Sequence, residues 1–393
     1  MVVLKTDLQF PEHGSKSELV LRDLENLLAN DPTSEKQLAT MYTQSTLAPA
    51  VLDAFLKGIR RNAGDPLAFP GSCDVEDKVV RMMATLFGRA SAAGAVVTGG
   101  TEANILGLRI ARNLGGKTKP EVVLPISAHY SYEIAVELLG ITPVYVGLDE
   151  DYKVKTSEME QAINSNTACL ACSVGTTELG VIDPVEEIST IAEKHNLFLQ
   201  VDASFGGFTL PFMKDLGYQT PRFDLSLPGV DALTVDIHKG GLAPIPAGCV
   251  LLREQSYLNS VPLDKVHHLS ITSTRSAAPV FAAYVLFNTI GREGYRKIAS
   301  KCMSLTAMLA KGIGEIEGIE LVVKPETNMI GIKSESKDIS KIAKRLREEG
   351  WGFKLYSLRP TGIKYIRIVI LEHMEENYVN KFLNSLEAAS RAV

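Results

Sequence analysis

Between residues 94 and 252 the chain alternates short apolar runs, rich in β-branched residues, with segments whose apolar positions recur every three or four residues. Runs that short and apolar throughout predict strands covered on both faces. Their alternation with helical segments predicts a mostly parallel sheet between two helical layers. The seven predicted strands are 95–98, 122–125, 143–146, 169–174, 197–201, 232–235 and 249–252, with helices at 102–114, 132–139, 157–164 and 185–195. After about Ser276 the pattern becomes one long helical stretch to about Ile316. The segments 320–323, 329–332, 339–349, 365–370 and 375–389 follow, in strand, strand, helix, strand, helix order. An α/β fold is expected, with a large domain over 61–276 and a smaller α+β domain over 277–393. The first 60 residues, opening with a helix over 17–29, are expected to pack on the smaller domain.

Composition narrows the field. A chain of 393 residues with 45% hydrophobic content is long enough for one large core and one smaller one. A net charge of -5 supplies no basic stripe, so nucleic acid is not an expected partner. No apolar run is long enough for a membrane span and the N-terminus has no signal-peptide core, so a cytoplasmic protein is expected. The five cysteines, Cys73, Cys169, Cys172, Cys249 and Cys302, are scattered rather than arrayed as a disulfide framework. Cys169 and Cys172 form a C-x-x-C, but inside a strand residues three apart face opposite ways, a poor arrangement for a metal or redox pair.

In open sheets of this kind ligands bind beyond the carboxyl ends of the strands, and five features fall there. Thr98-Gly99-Gly100-Thr101 joins a strand to a helix. Paired glycines allow close backbone approach, and free N–H groups at the helix start with the Thr101 hydroxyl suit a phosphate. Asp202 ends an apolar strand and is suited to hold a protonated ring nitrogen, to cap a helix or to bind a metal. Asp236-Ile237-His238-Lys239-Gly240-Gly241 places one lysine in a small, glycine-lined, otherwise apolar setting, where desolvation favours the neutral amine that a Schiff base requires; a surface-loop lysine is the alternative. His129 and the pair Thr176-Thr177 follow strands in the same way. The imidazole there is suited to stacking on a planar ring or to capping.

In order, TGGTEAN (98–104), SAHYS (127–131), VGTTELGVIDP (174–184), VDASFGG (201–207) and DIHKGGLAPIPAG (236–248) resemble the group II pyridoxal-5′-phosphate (PLP) dependent amino-acid decarboxylases, above all the archaeal tyrosine/aspartate branch. The likeness spans about residues 60–390 and extends to TSTRSA (272–277) and YIRIVI (365–370). It implies the aspartate-aminotransferase-like fold, known as fold type I, and a homodimer with shared active sites. It makes Lys239 the Schiff-base lysine, with His238 beside the phosphate and Asp202 on the ring nitrogen. His129 would stack on the ring, with Ser204 beneath it. Gly100 and Thr101 would hold the phosphate, Asp236 would join the cofactor site, and Thr176 would lie near the ring substituents. Arg367 would meet a substrate carboxylate, and Ser273 and Thr274 would serve the neighbouring subunit's phosphate.

Three departures bear on the substrate. Residues 43–49 (TQSTLAP) lack the H-P pair of many relatives. No loop tyrosine is placed for protonating the substrate carbon, where Tyr257, His267 and His268 are the candidates. Ser204 stands where alanine is common. The expected reaction is decarboxylation of an L-amino acid: aspartate to β-alanine, tyrosine to tyramine, or glutamate. A carbon–carbon lyase of the sphingosine-phosphate lyase type, a cysteine desulfurase-like enzyme and a catalytically dead scaffold are the rivals.

Overall fold

The computed structural model of the chain describes residues 13–29, 36–38, 41, 48–261, 269–272 and 274–393. Seven strands form the larger sheet: β1 (Ala93–Val97), β2 (Glu121–Pro125), β3 (Thr142–Val146), β4 (Thr167–Ser173), β5 (Phe198–Asp202), β6 (Ala232–Asp236) and β7 (Gly248–Leu252), in the order β1-β7-β6-β5-β4-β2-β3. β7 runs antiparallel to both its neighbours, and every other pairing in this sheet is parallel. The parallel strands need crossovers, which α4 (Gly100–Gly115), α5 (Ser131–Leu139), α6 (Thr156–Gln161), α7 (Val185–His195) and α8 (Leu210–Asp215) supply. The central strands β4, β5, β6 and β7 are buried at every position, which is why they read as continuous apolar runs. Cys169 and Cys172 belong to apolar clusters on opposite faces of β4.

The smaller sheet is antiparallel throughout, in the order β10-β11-β9-β8, formed by β8 (Glu320–Leu321), β9 (Met329–Lys333), β10 (Lys354–Ser357) and β11 (Lys364–Val369). Helices α10 (Ile339–Glu348) and α11 (Glu376–Arg391) complete it, and it has an apolar core of its own. The strand β10 was not predicted. The long helix α9 (Ala278–Gly314) serves both cores and is interrupted at Gly291, whose φ of 61° is left-handed and costs glycine little.

The N-terminal segment divides. Leu38 donates its N–H to the Gly352 carbonyl and accepts from Val369 N, so residues 36–38 join the smaller sheet. Helix α2 (Pro49–Gly58) instead packs on α9 against the larger core, as does α3 (Pro70–Leu86). Helix α1 (Ser17–Leu28) has no buried residue, and among the described residues it belongs to neither core. Among the described residues no helix is long and apolar enough to cross a membrane.

Candidate active site

The carboxyl ends of β1, β4, β5 and β6 open onto a cleft of about 660 Å³, closed from above by the smaller sheet. Gly100, Thr101, His129, Asp202, Ser204, Asp236, His238, Lys239 and Arg367 all line it. Nine residues singled out in the sequence, separated by up to 267 positions, are thus brought to one place.

The turn from β1 into α4 is locked by Glu102. Its Oε2 accepts from Thr98 N at 2.8 Å and Thr98 Oγ1 at 2.7 Å, while Oε1 accepts from Ser270 Oγ and Ile271 N. Burial opposes ionisation of this carboxyl, but the donors from Thr98, Ile271 and Ser270 outweigh it and hold the pKa below its ordinary value. The Gly100 N–H, expected to be free for a phosphate, donates to Asp236 Oδ1 at 2.6 Å, because β6 ends directly opposite the helix start. The other carboxylate oxygen of Asp236 lies 2.9 Å from Lys239 Nζ. The setting of Lys239 is therefore not apolar as expected: a buried aspartate three residues earlier pairs with it. His238 donates Nδ1–H to the Ala247 carbonyl at 2.7 Å, which fixes the ring beside that pair.

Asp202 is held from two sides, Oδ2 accepting from Asn104 Nδ2 at 2.8 Å and Oδ1 from Ser204 N at 3.0 Å. Gln200 Nε2 donates to Asn104 Oδ1 at 2.9 Å, so the Asn104 amide must turn its Nδ2 towards Asp202. That same Nδ2 donates to Ser131 Oγ at 2.9 Å. The Ser131 hydroxyl is then left to donate to His129 Nδ1, also at 2.9 Å, and Ser131 N approaches Nδ1 at 3.2 Å. With Nδ1 an acceptor, the neutral imidazole carries its proton on Nε2. Burial pushes the His129 pKa below its ordinary value, and the charge of Asp202 offsets this only in part. Nothing in the types or spacing of Asn104 and Ser131 signalled these roles.

The remaining predicted residues sit elsewhere. Thr176 is buried, with its backbone engaged by Val181 and Gly180; it is the next residue, Thr177, that lines the cleft. Thr274 is exposed and outside the cleft lining, whereas Ser273, residues 43–47, His267 and His268 lie outside the described residues. Tyr257 is remote from the lining, its hydroxyl donating to Asp231 Oδ1 at 2.6 Å. The smaller sheet contributes Arg367, whose Nη1 donates to the Thr177 carbonyl at 2.6 Å and whose guanidinium lies 4.6 Å from the centre of the Tyr356 ring. Lys354 and Tyr356, both on the unpredicted β10, complete that wall.

Residues 2–334 match the family described as the pyridoxal-dependent decarboxylase conserved domain. The chain belongs to the pyridoxal-dependent decarboxylases. It is 40% identical over 361 residues to the probable L-tyrosine/L-aspartate decarboxylase of Methanothermobacter thermautotrophicus, covering 90% of this chain and 97% of that protein. To the L-aspartate decarboxylase of Thermococcus kodakarensis it is 38% identical over 391 residues, covering 97% and 99%. Among solved structures, a sphingosine-1-phosphate lyase of Burkholderia pseudomallei superposes with a TM-score of 0.90 at 25% identity, over 98% of this chain and 92% of that one. A glutamate decarboxylase of Lactobacillus brevis gives 0.88 at 22%, over 97% and 94%, a likeness of fold.

This decarboxylase is thus a PLP enzyme of fold type I, and its cleft fits the cofactor. Ser204 Oγ is buried at the cleft without a protein partner, a hydroxyl left over for a ligand. A Cβ on Gly100 would come within 2.4 Å of that oxygen, and one on Gly248 within 2.6 Å of Gly99 Cα, so only glycines leave this cradle open. None of the five cysteines lines the cleft and burial raises the pKa of every one, which leaves the desulfurase reading without a nucleophile.

Proposed function

We propose that this decarboxylase removes the α-carboxylate of acidic L-amino acids as carbon dioxide, aspartate to β-alanine ahead of glutamate. Tyrosine to tyramine is the second reading. The observation that carries the acidic preference is Arg367, a buried cation facing the same cleft as Lys239 and Asp202. Support comes from the Thermococcus kodakarensis relative and from one in Pyrococcus horikoshii named an L-aspartate/L-glutamate decarboxylase, 37% identical over 389 residues. The tyrosine reading rests on the name of the Methanothermobacter relative.

Bound PLP supplies an electron sink for the bonding pair that the leaving carboxylate gives up. Each part of the site then has its task. Lys239 tethers the cofactor, and Asp236, 2.9 Å away, receives and orients the ammonium whenever that lysine is released. Asp202, anchored by Asn104 and Ser204 N, keeps a negative charge where a protonated ring nitrogen needs one. His129 offers a flat face and a single remaining donor, Nε2–H. Thr101 at the helix start and His238 serve the phosphate. With Gly100 N engaged by Asp236, Thr101 is the stronger donor there. Arg367 binds the substrate carboxylate that is retained. A carboxylate held as an ion pair resists leaving as neutral carbon dioxide, so the departing one belongs in the less polar part of the cleft.

The working unit in this proposal is a cytoplasmic homodimer, with Ser273 and Thr274 reaching the neighbouring site. Its support is the row of exposed apolar residues on α1, Leu19, Val20, Leu21, Leu24 and Leu28 among them, together with five free cysteines. The test is to incubate the PLP-loaded protein with aspartate, glutamate and tyrosine in turn and quantify carbon dioxide and the matching amine. β-Alanine is expected in the largest yield. Tyramine as the main product overturns the acidic preference, and no carbon dioxide from any substrate overturns decarboxylation.

A further inference from the structure

We propose that Lys354 is the specificity-determining residue of this cleft, binding the side-chain carboxylate of an acidic substrate beside Arg367. The inference rests on the acidic-substrate reading above. In the antiparallel pair β10–β11, Lys354 stands opposite Arg367 and Tyr356 opposite Tyr365. Directly paired residues project from the same face, and alternation sends Leu355 and Ile366 to the other face, where both join the smaller core. Lys354, Tyr356 and Arg367 consequently share one surface, and all three line the cleft.

Charge is partitioned across that cleft. Its carboxylates come from β5, β6 and α4 and each is engaged: Asp202 by Asn104, Asp236 by Lys239 and Gly100, and Glu102 by Thr98, Ser270 and Ile271. The wall from the smaller sheet brings two cations and no carboxylate. Arg367 has its position set by the Thr177 carbonyl and the Tyr356 ring, and it shares its field with the half-buried Glu178. Burial raises the Glu178 carboxyl, and Arg359 and Arg367 work against that rise. Among the described residues no carboxylate pairs with Lys354, although Lys153, Lys301 and Lys333 each have one. A fixed guanidinium recognises a carboxylate at one place; an exposed ammonium on a four-carbon stem follows side chains of different length. Together they accommodate both aspartate and glutamate, whereas a neutral phenol brings no charge to pair with them.

A lysine on an edge strand also has a plainer use, since charge there deters edge-to-edge pairing, and β10 is an edge. Kinetics separates the two. In the PLP-loaded enzyme, Lys354→Met is expected to lower kcat/KM for aspartate and glutamate about 10- to 100-fold, as for loss of a charge-assisted hydrogen bond, mostly through KM. Tyrosine turnover should stay within about twofold, and Lys354→Arg should restore most of the loss. Inhibition by succinate, a dicarboxylate with no reactive amine, should weaken in parallel while the cofactor absorbance stays unchanged. Equal losses for aspartate and tyrosine, or lost cofactor, would assign Lys354 to the fold or the phosphate and overturn the proposal. Wild type active on aspartate with Lys354→Met unimpaired also overturns it and leaves the acidic-substrate reading standing. Wild type inactive on both acidic substrates sinks that reading and the proposal with it.

Discussion

His129 illustrates how little of a cleft imidazole's behaviour resides in the ring itself. Its tautomer is dictated three residues away in space, through Ser131 and Asn104 to Gln200, by the rule that each hydrogen can be donated once. Burial lowers its pKa, and the Ser131 hydroxyl, by donating to Nδ1, favours the same neutral form. Removing that donor must therefore raise the pKa. Ser131→Ala is expected to move the acidic limb of the kcat/KM profile upward by about half to one pH unit, the equivalent of one hydrogen bond. A limb that stays in place, or moves down, would show that Ser131 does not set the protonation of His129. Asp202 was legible in the sequence because a charged residue ending an apolar run is conspicuous, and Lys239 because it stands in a glycine-lined turn just after one. Ser131 and Asn104 were not, since they are ordinary helix-start residues whose roles exist only once α4, α5 and β5 meet.

At the scale of elements, the strands of the larger sheet were readable within a few residues because burial on both faces leaves an uninterrupted apolar signature. β10 escaped because it is four residues long, on an edge and without a buried residue, so pairing with β11 rather than its own composition makes it a strand. Helix α2 escaped for another reason: it was read only as part of a segment packing on the smaller domain, and its own residues do not name the surface it seeks. That surface is the start of α9, and Gly58 sets the approach. A Cβ there would lie 2.4 Å from Ala278 Cα and 2.5 Å from Ala278 N, backbone atoms that cannot swing aside. Gly58→Ala is expected to cost about 1–3 kcal/mol in urea unfolding, as other overpacked contacts do. Gly71→Ala, where the new methyl meets nothing within 4 Å, serves as the control and should be close to neutral. Equal stability of the two variants would mean that α2 does not dock as closely on α9 as described.

At the scale of the whole molecule the cleft lies between two cores, yet its carboxylates are already engaged by protein donors. Asp202, Asn104, Ser131 and His129 form one chain of hydrogen bonds, and Asp236 joins Gly100 to Lys239. Phe205, next to the site, packs into the core of the smaller sheet, so the two halves adhere without a ligand between them. The protein should therefore fold without PLP, and the cofactor should add stability by mass action rather than create the fold. Stripping it with hydroxylamine is expected to leave the far-ultraviolet circular dichroism unchanged and to lower the thermal midpoint. Adding PLP back should raise that midpoint with concentration, by the equivalent of about 2.7 kcal/mol at one hundred times the dissociation constant. Lys239→Ala should retain a smaller, purely non-covalent part of the gain, because the other groups of the cradle remain. An unfolded cofactor-free protein would mean that the internal pairs of the cleft do not hold it together. A midpoint indifferent to PLP would mean that the cleft does not bind it.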